Sequence, residues 1–146
     1  MPTRTSRTAW NGSLETGEGQ VELTSSKIGT YNVSFPKRAA DDASGSTSPE
    51  ELLAAAHSAC FAMQFSAVLG AAGATIDALD VAADVTLGAD PAGGFQLTSI
   101  HLTVRGEVTG IDEAAFLAAA NDAKATCPVS KALTGVEITL DAALEN

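Results

Sequence analysis

The sequence predicts an α+β fold: an antiparallel β-sheet with one long buried helix at its centre. Three observations carry this. Apolar and polar residues alternate with period two in several short runs, as at residues 31–35 and 81–87. No Asp, Glu, Lys or Arg interrupts residues 52–76, which leaves one helix-length apolar stretch. The predicted elements follow the order βββ-α-ββ-α-α-β, with strands in runs rather than alternating with helices. With 146 residues, no internal repeat and no Pro/Ser-rich linker, the chain is expected to form one domain over residues 1–146.

Each element has a local cause. Thr8-Ala9-Trp10 leads into the turn pair Asn11-Gly12, and Val21-Glu22-Leu23 and Tyr31-Asn32-Val33-Ser34-Phe35 supply two further strand patterns. Pro36 ends the last of these, and residues 37–47 read as a polar loop containing Asp41, Asp42, Ser44, Gly45 and Ser46. Ser48-Pro49-Glu50-Glu51 is the sharpest signal in the chain. Serine caps, proline fits the first helical position, and Glu51 stands where a capping box places its acid. Both glutamates also suit the positive end of the helix dipole. The helix is predicted from Pro49 to about Ala72, ahead of Gly73. Val81, Ala83, Val85 and Leu87 then alternate as a strand, and Asp90-Pro91-Ala92-Gly93-Gly94 turns the chain. Phe95, Leu97, Ile100, Leu102 and Val104 return it, with a phase slip near Ser99 that predicts a bulge. Asp112 caps a second helix to about Thr126, Cys127-Pro128 starts a short third one, and Val136, Ile138, Leu140, Ala142 and Leu144 form the closing strand.

Charge excludes some functions. Eight basic residues against eighteen acidic ones give a net charge of −10, a surface that repels phosphate backbones and anionic lipid, so neither nucleic acid nor membrane is an expected partner. The apolar stretch reaches the ~20 residues a membrane span needs. It also holds His57, Ser58, Gln64 and Ser66 and has acidic flanks, which fits a buried helix of a soluble domain. The first residues carry Arg4 and Arg7 without an apolar run behind them, unlike a secretory signal. The expectation is a cytoplasmic protein, where two cysteines serve redox chemistry more readily than permanent cross-linking.

The long helix has an unusual surface. Ala54, Ser58, Ala62 and Ser66 form one ridge and Ala55, Ala59 and Ala67 the next, while Leu52, Leu53, Phe61, Met63, Phe65, Val68 and Leu69 cover much of the rest. Small ridges admit a close second backbone, and a helix apolar on every side must be covered on every side. A small domain cannot enclose it alone, so a partner subunit is expected.

Chemistry concentrates at the two cysteines. Cys60 lies mid-helix, and Cys127 stands at a helix start, where free N–H groups favour a thiolate. Arg38 is a cation in the loop that leads into the helix carrying Cys60, and Glu50 is placed to hold it. Three other uses of these residues stay open. Both cysteines can be simple buried hydrophobes. His57, Cys60, Cys127 and His101 can form a two-cysteine, two-histidine zinc site in a structural domain, although no Cys-x-x-Cys pair is present. The chain can also be a small-ligand binding module with incidental thiols. Phosphate-binding glycine loops and a Gly-x-Ser-x-Gly elbow are absent. Trp10 and Tyr31 read as core or rim aromatics, and Asp77, Asp80 and Asp84 as a solvated face.

Two runs carry a resemblance. Ser48-Pro49-Glu50-Glu51-Leu52-Leu53-Ala54-Ala55-Ala56-His57-Ser58-Ala59-Cys60-Phe61 is similar to the first signature of the OsmC/Ohr family of thiol peroxidases, and Cys127-Pro128-Val129-Ser130-Lys131-Ala132-Leu133 to the second. Ala56-His57 and Pro128-Val129-Ser130 look like the OsmC branch. The resemblance covers nearly the whole chain. It implies an intertwined homodimer with two active sites at the interface. It also implies reduction of organic hydroperoxides, and of hydrogen peroxide less well, to alcohol and water. Cys60 would be the peroxidatic nucleophile, Cys127 the resolving thiol, and an external dithiol the reductant, with no flavin, nicotinamide or metal. Arg38 and Glu50 join the site by the same likeness, Arg38 from a loop of variable length.

The implied chemistry sets physical demands. A free thiol of pKa ~8.5 is only a few per cent ionised at neutral pH, and burial lowers that fraction. Lowering the Cys60 pKa by ~2–3 units asks Arg38 for about 3–4 kcal/mol. Glu50 and Cys60 lie ~15 Å apart along one straight helix. Two copies of the helix crossing antiparallel near Ala55 would bring Glu50 of one level with Cys60 of the other. Phe61, Met63 and Phe65 are expected to line the pocket and favour carbon-bearing peroxides.

Overall fold

The computed structural model describes residues Met1–Asn146, which divide into two compact units, Met1–Leu52 and Leu53–Asn146. In the first unit β1 (Arg7–Asn11), β2 (Glu18–Glu22) and β3 (Thr30–Val33) form an antiparallel sheet in that order. The chain leaves β1 through Gly12, whose φ of +94° is a conformation other residues rarely adopt. A single helical turn, α1 (Phe35–Arg38), follows β3. The Ser34 hydroxyl accepts the Lys37 N–H at 3.4 Å, and Pro36 occupies the first turn. Proline's fixed φ starts a helix as readily as it stops a strand, so the loop expected at residues 37–47 begins two residues later, after Arg38. That turn carries Arg38 at its end.

The next helix, α2, runs over Pro49–Ala71. Its start is as the sequence predicts, with the Ser48 hydroxyl accepting the Glu51 N–H at 3.2 Å. The Glu51 carboxylate accepts a hydrogen bond from the Thr47 hydroxyl instead of reaching back to Ser48. Gly73, at φ +81°, turns the chain out of the helix.

The second unit is a three-stranded sheet, β4 (Thr75–Ala89), β5 (Phe95–Thr109) and β6 (Glu137–Leu144), with α3 (Glu113–Thr126) and α4 (Pro128–Ala132) between the last two strands. β4 and β5 pair antiparallel, and their register shifts between Thr86 and Leu87, where Thr98 on the facing strand has no partner. This is the bulge that the phase slip near Ser99 predicts. The Asp112 side chain caps α3 by accepting the Ala115 N–H at 2.8 Å. One pairing departs from the expected antiparallel sheet: β6 runs parallel to β5. The cause is the α3–α4 crossover, which carries the chain back to the starting end of β5, as a parallel neighbour requires.

Phe61, Phe65 and Leu69 of α2 pack with Leu102, Val104 and Val108 of β5 and with Phe116, Ala120 and Ala123 of α3. Phe65 sits between the rings of Phe61 and Phe116, with centroids 5.6 and 5.1 Å away. Gly106 lets α3 come close, since a Cβ there would stand 2.7 Å from the Phe116 ring. The buried residues of α2 beyond its first turn fall on one stripe (His57, Phe61, Phe65 and Leu69), while Met63 is 69% exposed. One copy of the chain therefore covers a single side of a helix expected to be buried all round. By length and composition alone α2 could span a bilayer; its buried stripe packs on protein. Phe65 fills the centre of the core, so Phe65→Ala is expected to lower unfolding stability by about 3–5 kcal/mol, read from a urea titration.

Candidate active site

Arg38 and Glu50 meet in the first unit. The guanidinium donates from Nε to both Glu50 oxygens at 3.1 Å and from Nη2 to Oε1 at 2.6 Å. Burial works against the Glu50 charge, but the Arg38 hydrogen bonds and charge, a backbone N–H and the Ser48 hydroxyl outweigh it, so its carboxyl sits below the ordinary glutamate value. The arginine is thus held by a fork that leaves its Nη1 edge for a second anion. Beside it opens an apolar groove of about 360 Å³, lined by Trp10, Leu14, Val21, Val33, Phe35 and Leu52 with Arg38 in its wall. The residues expected to line a substrate pocket do something else. Phe61 and Phe65 are fully buried in the core, and Met63 points outward from α2.

Cys60 and Cys127 meet in the second unit, both as free thiols. Cys127 closes α3, donating its N–H to the Ala123 carbonyl at 2.8 Å, and stands at the N-cap of α4. Its side chain is fully buried, whereas Cys60 is partly exposed. The Cys127 sulfur makes no full capping bond, yet the amides of Ser130 and Val129 face it. Burial pushes the Cys60 thiol up. The Val129 N–H opposes this, and Cys127, which takes the Cys60 S–H as a donor, adds to it. Burial also opposes ionisation of Cys127, but the Ser130 amide, the Cys60 thiol, the Ser130 hydroxyl and the Val129 amide together hold it below the ordinary cysteine value. The more acidic thiol of this unit is therefore Cys127.

One pair escapes a sequence reading. His57 is fully buried, and its Nε2 lies 2.7 Å from Ser130 Oγ. The available signal was spacing: His57 stands three residues before one cysteine and Ser130 three after the other. The four side chains weighed as a zinc set do not gather. His101 Nδ1 bonds Thr139 Oγ1 at 2.7 Å, and no three His, Cys, Asp or Glu side chains converge. Asp77, Asp80 and Asp84 are solvated, and Trp10 and Tyr31 are rim residues.

An α+β architecture with two neighbouring free thiols where a long helix meets a helix junction defines a class of dithiol proteins. The chain belongs to the OsmC-like protein family, whose family model matches residues 41–141. Peroxiredoxin OsmC of Escherichia coli (strain K12) is 41% identical over 137 residues, covering 94% of this chain and 93% of that protein. The corresponding protein of Shigella flexneri matches equally. An organic hydroperoxide resistance protein from Elizabethkingia anophelis superimposes with a TM-score of 0.80 at 26% identity, over 99% of this chain and 98% of that one. The organic hydroperoxide resistance protein OhrB of Bacillus subtilis gives 0.75 at 26% identity, over 95% and 98%.

Proposed function

We propose that the chain is a cytoplasmic thiol peroxidase that reduces organic hydroperoxides, and hydrogen peroxide less well. The observation that carries this is the Cys60–Cys127 pair, two reduced sulfurs close enough for one to donate to the other. Cys60, the partly exposed member, attacks the peroxide as a thiolate, releases the alcohol and becomes a sulfenic acid. Cys127 then displaces that oxygen as water and closes a disulfide, which an external dithiol reopens. Arg38, oriented by Glu50, supplies the positive charge that Cys60 lacks in its own unit. The apolar groove beside Arg38 suits the organic part of the substrate and gives hydrogen peroxide nothing to fill it. A second copy supports the reading too, because the uncovered faces of α2 need a cover and an antiparallel crossing near Ala55 brings Glu50 level with the partner copy's cysteine.

Turnover with cumene hydroperoxide and hydrogen peroxide, with dithiothreitol as reductant, tests this. The expected result is loss of both free thiols per peroxide in the absence of reductant, and faster turnover with the alkyl peroxide. Thiols that persist under excess peroxide would leave the protein a binding module.

A further inference from the structure

Two side chains that the proposed cycle does not use are, with Glu50, the buried polar residues of the molecule: His57 at 0% and Ser130 at 7% exposure. They bond each other across α2 and α4 at 2.7 Å. His57 Nδ1 is also buried and has no partner, which fixes the proton's position. Burial lowers the His57 pKa, so the ring is neutral at pH 7 and carries one N–H. On Nδ1 that proton would be an orphaned buried donor, whereas on Nε2 only an acceptor goes unfilled, the cheaper arrangement. Nε2–H therefore donates to Ser130 Oγ. A hydroxyl whose oxygen is already accepting has its own proton to give, and the Ser130 hydroxyl faces the Cys127 sulfur. The donors run from His57 to Ser130 and on toward Cys127, whose sulfur the Cys60 S–H also faces.

We propose that His57 and Ser130 are positioning residues for the closing step of the cycle, holding the Cys127 sulfur as a hydrogen-bonded acceptor aimed at Cys60. This rests on the peroxidase reading. In the step, an electron pair of the Cys127 thiolate forms the S–S bond and the S–O bond of the Cys60 sulfenic acid breaks. The oxygen leaves as hydroxide and becomes water with the proton that Cys127 gave up. The peroxide is the only oxidant needed. A Cys127 sulfur that ionises more readily and is held in place shortens the life of the sulfenic acid, which a second peroxide would otherwise carry to the irreversible sulfinic acid. The titratable groups that face Cys127 are Cys60 directly and His57 through Ser130.

Rapid quench with excess cumene hydroperoxide, followed by alkylation and mass spectrometry, separates sulfenic acid formation from disulfide closure. In Ser130→Ala, closure is expected to slow about tenfold more than formation, the size of one lost hydrogen bond to a charged group. Its pH profile should move to higher pH, with sulfinic acid accumulating at Cys60. Ser130→Thr, which keeps the hydroxyl, should restore most of the closing rate. His57→Gln, which keeps an amide donor near the Nε2 position, should fall between and serves as the second probe if Ser130→Ala folds poorly. Closure in Ser130→Ala at the wild-type rate and pH profile, or a closing rate in Ser130→Thr as low as in Ser130→Ala, overturns the assignment. A wild-type protein that leaves peroxide untouched overturns the peroxidase reading instead.

Discussion

Cys60→Ser is expected to abolish peroxide consumption, with a loss of about a thousandfold or more. An alcohol in this position has no anion at neutral pH, and the groups around it make one harder to form. Burial and the neighbouring Cys127 already push the native thiol up, so a far weaker acid stays protonated. Cys127→Ser should behave differently, consuming one peroxide per chain and stopping at a sulfenic acid or its over-oxidised products. Single-turnover peroxide loss for the two variants distinguishes the roles, because only one of the sulfurs is partly exposed. A Cys60→Ser protein with full first-turnover activity would refute the assignment, and activity lost equally from both would mean that neither sulfur acts as the first nucleophile alone.

Much of this site could be read from the chain because its parts rest on local rules. The cap at Ser48, the bulge opposite Thr86 and the cap at Asp112 are each decided within a few residues, and all three are where the patterns place them. The cysteines were legible for the same reason, each sitting in a motif whose helix start or helix middle is local. What was not legible depends on which way a side chain turns or where the chain comes back. Pro36 carries equal signals for ending a strand and for starting a turn, and only the Ser34 hydroxyl above it settles which. The parallel pairing of β6 is set by the end of the sheet at which α4 delivers the chain, which no strand pattern records. Phe61 and Phe65 are apolar residues that follow Cys60 closely in sequence, yet the 3.6-residue turn sends them to the core stripe with His57 and Leu69. The partnership of His57 with Ser130 spans two helices far apart in the chain, and spacing from the cysteines is all the sequence offers for it.

Arg38→Ala should slow Cys60 oxidation at pH 7 by about ten- to a hundredfold, one factor of ten for each unit that the thiol pKa rises. The sign follows from what acts on Cys60. Burial opposes its ionisation, its thiol neighbour opposes it further, and the one influence in its unit that favours it is a backbone N–H. Removing a cation from such a site raises the pKa again, and the rate should then climb with pH and recover partly by about pH 9 as bulk solvent supplies the missing drive. The carboxylate of the pair does not confuse this profile. Glu50 has a depressed pKa, so it is charged above its ordinary value and loses its hold on Arg38 only as the pH falls through the lowered one, far below the range of thiol titration. Arg38→Lys should recover part of the rate, since a single ammonium cannot grip Glu50 through a fork and present a second edge to a thiolate. Glu50→Ala should be milder, leaving the guanidinium present but unaimed. Thermal melts of each variant at pH 7 guard against a trivial cause, because Arg38→Ala leaves the nearly buried Glu50 carboxylate without its partner. If the profiles of the wild type and Arg38→Ala superimpose, Arg38 leaves the site, and the amides of Val129 and Ser130 become the main source of positive potential for the pair.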